Sequence, residues 1–226
     1  MKKLIFGLIA TVMFLNLSFG QNSIKFNDYG FYHNELILLY SKAYMNNNTD
    51  FSKVSMNSII EGMNLEIKKK YPTEFKDVDL NEVKNYYKNY DMADKYNFVE
   101  NWDKNKTSYL SNGYLTKLGY EFIDSAIKND LKYDDLLLKI QEIKRLKTLT
   151  DKDKIAFEVA ESVLISSNEL WNSNNSVALN KRNHCNGSII VSDVGTAMMF
   201  APAPYLSLFA GGFSSLMTAY TSNDCN

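Results

Sequence analysis

Four side chains in these 226 residues combine metal-binding, nucleophilic or near-neutral proton chemistry: His33, His184, Cys185 and Cys225. Their spacing forms no catalytic or metal motif. His184 and Cys185 are neighbours and His33 lies far upstream, so a tetrahedral metal site would lack ligands. His33 stands before an apolar stretch, where pairing with Glu35 or capping of backbone accounts for it without a nucleophile. No Gly-rich phosphate loop, paired-His hydrolase motif or Gly-x-Ser-x-Gly elbow occurs. The run from Asp77 to Asn81 has alternating oxygen ligands, but a calcium loop would need Gly at its sixth position and Glu where Lys88 stands. The expectation is therefore no catalytic residue, no cofactor and no metal. An extracytoplasmic hydrolase remains only as a less favoured alternative.

The cysteines acquire meaning from the N-terminus. Lys2 and Lys3 precede an apolar run from Leu4 to Leu15, and Ser18-Phe19-Gly20 supplies small residues at a cleavage site. Residues 1–20 read as a signal peptide cut before Gln21, and the protein as exported: secreted, periplasmic or associated with the cell surface. In an oxidising compartment two Cys most economically pair, so Cys185–Cys225 is the expected disulfide. It would close a loop of about 41 residues, worth roughly 4 kcal/mol in the chain-entropy account.

The elements between these points are helical by pattern. Leu36, Ile37, Leu39, Tyr40 and Tyr44 make one apolar face over 34–46, and Met56, Ile59, Ile60, Met63 and Ile67 another over 50–70. Thr49 or Asp50 offers a cap for the latter. Asp79 and Glu82 have capping-box spacing, with Val78 and Val83 at the staple positions. Tyr96, Val99 and Trp102 indicate a short helix. Further faces follow over 115–129, 134–147 and, with Thr150 as N-cap, 151–171. Period-2 alternation is sustained nowhere, so residues 21–172 are expected to form one all-α, bundle-like domain. Tyr86, Tyr87, Tyr90 and Tyr96 interleave with Lys84, Lys88 and Lys95, a pattern that fits a stacking surface but is better explained as an amphipathic face.

A polar Asn/Ser-rich linker over 173–187 leads to a different composition. From Val194 to Asn223 the chain carries no charge for 30 residues, and Asp193 and Asp224 are the only acids after Arg182. Leu206, Phe209, Phe213, Leu216, Met217 and Tyr220 share one helical face, while Ser207, Gly211, Ser215 and Ala219 form a small-residue face. Pro202 and Pro204 divide the segment, and the midpoint of Cys185 and Cys225 falls one residue beyond Pro204. Residues 188–226 are thus expected to be an apolar helical hairpin closed by the disulfide. A β-hairpin turning at Gly211-Gly212 is the competing reading.

Small residues four apart let helix backbones approach closely, notably in membranes. In outline the segment resembles the Gly/Ala-rich tails with which secreted bacteriocin-like proteins enter bilayers; the likeness covers about 40 residues and contains no diagnostic motif. It implies a membrane-active protein. More generally, residues 188–221 are expected to meet membrane lipid or another protein. A net charge of −1 and pI near 6.2 argue against nucleic acid as a partner.

Overall fold

Nine α-helices and no strand make up the described residues of the computed structural model, 24–45, 54–87, 98–172 and 186–221. A 3-10 turn at Phe26–Asp28 leads into α1 (Tyr29–Tyr44). There follow α2 (Met56–Lys70), α3 (Leu80–Tyr87), α4 (Phe98–Ser111), α5 (Lys117–Lys128), α6 (Tyr133–Lys144), α7 (Asp151–Asn172), α8 (Asn186–Phe200) and α9 (Pro204–Thr221). The all-α class holds. The expected signal peptide, the stretch 173–185 and both cysteines, Cys185 and Cys225, lie outside the described residues.

Local chemistry sets several helix starts. Ser55 caps α2 by accepting from the Ser58 amide, and Thr116 caps α5 by accepting from Gly119. Thr150 caps α7 as expected, and the cap is reciprocal: the Asp153 amide donates to Thr150 Oγ1 at 3.1 Å while the Thr150 amide donates to Asp153 Oδ2 at 3.2 Å. At α3 the sequence spacing misses by one residue. Asp79 accepts from the Asn81 amide at 2.8 Å, an Asx-type contact two residues on.

Helix α1 begins at Tyr29, five residues before the sequence pattern starts, because Tyr29, Gly30 and His33 already face the core. His33 is therefore inside the helix and not ahead of it. Glu35, its expected partner, turns the other way and accepts from Lys70 at 2.6 Å and from the Tyr71 hydroxyl at 2.9 Å.

The core continues across the expected division at 173–187. One apolar cluster takes in Leu36, Ile60, Trp102, Phe157, Met198 and Phe213 alike. Helix α8 packs against α7 and α9, with α4 and α5 beside it, and α9 rests on α1, α2 and α3. Every residue from Ile189 to Ala201 and from Leu206 to Ala219 is buried. A helix with no charged side has no face to offer water, so it takes the interior position and leaves the amphipathic helices outside. Gly211 and Gly212 lie within α9, which overturns the β-turn alternative. A Cβ added at Gly212 would stand 3.6 Å from Leu36 and Met63, an ordinary contact, so the residue is part of a packed helix and not of a turn.

Candidate functional site

The α8–α9 pair is joined through polar atoms as well as apolar ones. Ser207 Oγ donates to the Ala197 carbonyl at 3.1 Å, Ser192 and Ser214 hydroxyls meet at 2.6 Å, Thr196 reaches Ser214 at 3.3 Å, and Thr218 reaches Ser192 at 3.2 Å. Partner numbers fall on one helix as they rise on the other, so the two run antiparallel. Hydroxyls four apart thus satisfy one another inside the pair, where an unpartnered one would cost about 1–3 kcal/mol.

The predicted small-residue face divides its work. Ser207 bonds to Ala197, and Ala219 packs with Ile189. Gly211 leaves room for His33, whose Cδ2 would lie 3.2 Å from an added Cβ. Ser215 faces Asp193. The predicted apolar face is buried in the core shared with the surrounding helices, Leu206, Phe209, Phe213, Leu216 and Met217 included. Phe209 meets the Phe75 ring edge-on at 6.3 Å, and the Tyr205 hydroxyl donates to the Glu74 carbonyl at 2.5 Å. The Tyr220 side chain is outside the described residues.

At the centre lies a cluster that pattern reading missed. His33 on α1 is 1% exposed and Asp193 on α8 is fully buried, with Nε2 3.8 Å from Oδ2. Ser167 on α7 donates to that same Oδ2, and Ser215 and Trp171 face the carboxyl. His33 Nδ1 lies 3.2 Å from Asn34 Oδ1, and Asn34 Nδ2 donates to the Ser166 carbonyl at 2.6 Å. With Nδ1 facing Asn34, the other ring nitrogen, Nε2, is the one that stands nearest Asp193. His33 Nε2, Asp193 Oδ1 and Ser215 Oγ make no close hydrogen bond.

Burial drives both ionisations toward neutrality. It pushes the Asp193 carboxyl up from 3.8 to about 8, against the pull of Ser167, Ser215 and Trp171. It lowers His33 from 6.5 to about 4, opposed by Asn34 and the Gly211 backbone. At pH 7 the pair is a neutral acid beside a neutral base. A Ser–His–Asp relay needs imidazole between hydroxyl and carboxylate. Here the carboxyl stands between Ser167 and His33, which is not the order of that relay.

The sequence carried a faint signal for this cluster. Asp193 is the single acid of its helix, and His33, Leu36, Ile37 and Tyr40 fall on one stripe of α1. No protein family, curated protein or solved structure matches this chain.

Proposed function

We propose that the protein is an exported, membrane-associating module that acts through α8 and α9, an apolar helical hairpin kept covered by the surrounding helices until it meets lipid. One observation carries the reading. The interhelical hydroxyls of α8 and α9 are hydrogen-bonded within the pair, from Ser207 to Ala197 and among Ser192, Thr196, Ser214 and Thr218, while Phe209 packs on Phe75 outside the pair and the other apolar side chains are buried in the core shared with the surrounding helices. Such a pair exchanges a protein sheath for acyl chains without stranding those hydroxyls, which is how helices associate inside bilayers. Its lone acid, Asp193, is neutral at pH 7 where it sits.

Length limits the depth reached. Fifteen and eighteen residues correspond to about 22 and 27 Å of helix, short of the ~30 Å hydrocarbon core. Among the described residues no helix is long and apolar enough to cross a membrane. The mode proposed is partial insertion of a paired unit.

Deleting residues 186–221 would remove the core, so the test uses the full chain. Vesicles of phosphatidylglycerol and phosphatidylcholine carrying a photoactivatable acyl-chain probe are mixed with the protein, irradiated and mapped by mass spectrometry. Label concentrated in peptides from 186–221 is the expected result. Label confined to α1–α7, or no association with the vesicles, overturns the reading.

A further inference from the structure

The sheath and the hairpin meet at one pair of ionisable side chains. Asp193 is the titratable group that faces His33 among the described residues. From α9 come Gly211 and Ser215, and from α7 Ser167 and Trp171, none of them ionisable near neutrality. Glu169 of α7 is exposed. Glu35 of α1 is held by Lys70, and Glu61 and Glu66 of α2 by Lys84 and Lys69. No charged side chain therefore compensates either partner.

We propose that His33 and Asp193 form a one-proton latch between α1 and α8, in which a proton held on the buried Asp193 carboxyl beside neutral His33 keeps the hairpin covered and its loss loosens the cover. The latch rests on the membrane reading above and supplies its regulation. Geometry carries it: a buried imidazole stands 3.8 Å from a buried carboxyl, across the boundary that must open.

Proton counting sets the direction. Between about 4 and 6.5 the folded pair holds one proton, as neutral acid and neutral base. The unfolded pair also holds one there, on His33, so stability is level across this window. Between 6.5 and about 8 the unfolded pair holds none while the folded pair keeps its proton, so stability falls as pH rises. The other shifted groups lie elsewhere: the carboxyls of Asp124 and Asp153 are lowered from 3.8, and the shifted lysines and tyrosines have ordinary values of 10 or more.

The experiment measures the folding constant by urea titration at half-unit steps from pH 4 to 8, for the wild type, Asp193→Asn and His33→Gln. The wild type should be level to 6.5 and then lose about thirtyfold by pH 8. Asp193→Asn, retaining only the lowered imidazole, should gain about 300-fold from pH 4 to 6.5 and then stay level. His33→Gln should fall throughout, without a plateau. The wild-type curve alone tests the idea if a variant fails to fold. A wild-type curve level from 6.5 to 8, or three parallel curves, overturns the latch. Flotation with the same vesicles at pH 6 and 8 tests the function separately: the latch expects faster binding of the wild type at pH 8, and no binding at either pH overturns the membrane reading while the stability curves still judge the proton coupling.

Discussion

Gly30 is where α1 comes closest to α7, and replacing it with Ala should be among the most damaging single-methyl changes in the protein. An added Cβ would lie 2.0 Å from the Ser162 carbonyl oxygen, 2.6 Å from its carbon and 2.4 Å from Ser166 Oγ. Ordinary contact begins at 3.4 Å, so the two helices must separate locally by about 1.4 Å. That movement stretches the Gly30 amide bond to Ser162 Oγ, now 2.9 Å, and the Asn34 bond to the Ser166 carbonyl, now 2.6 Å. Overpacking contributes about 1–3 kcal/mol and two weakened hydrogen bonds about 1 kcal/mol each, while the better helix propensity of Ala returns about 1. The net expectation is a loss of roughly 2–4 kcal/mol, measured by urea unfolding followed by circular dichroism. Gly212→Ala is the control, since its Cβ would meet neighbours at ordinary distance and should be neutral or gain up to about 1 kcal/mol. Equal stability of the two variants, or a Gly30→Ala protein within 1 kcal/mol of wild type, would refute the close-packing argument.

Other expectations follow from the same packing. Wild-type stability should decline by about 2 kcal/mol between pH 6.5 and 8 as the folded Asp193 holds a proton that unfolded His33 has released; denaturation midpoints at the two pH values test this. Ser214→Ala removes the hydroxyl shared by Ser192 and Thr196, and should destabilise by about 1–2 kcal/mol with no change of oligomeric state on gel filtration. Thr150→Ala deletes one half of a reciprocal cap over buried Asp153 and should lower stability by about 1–2 kcal/mol, with α7 amides near residue 153 exchanging faster. Because α8 and α9 are covered, the purified protein should run as a monomer in the absence of lipid, and a concentration-dependent dimer would contradict their burial.

Helix content and most helix faces were legible without coordinates. Residues such as Met56, Ile59, Ile60, Met63 and Ile67 repeat at the period of a helix because a one-sided core demands it, and all five are buried. Thr150 was legible as a cap because capping is local chemistry, settled within three residues. The uncharged character of α8 and α9 was equally plain, since composition needs no fold to be read.

Position in the bundle was not. An apolar segment after a polar stretch suits an appended hairpin as well as a central one, and only the packing of α9 on α1 and α8 on α7 puts it inside. A turn at Gly211-Gly212, the competing reading, rests on propensity alone, a weak preference once the step lies inside a buried helix beside Leu36 and Met63. Most of all, His33 and Asp193 stand 160 positions apart, and no periodicity links them. Sequence determined which side chains exist and which face each local helix presents. Tertiary structure alone decided that an imidazole and a carboxyl share a dry interior, because the burial that shifts their protonation comes from helices distant in the chain.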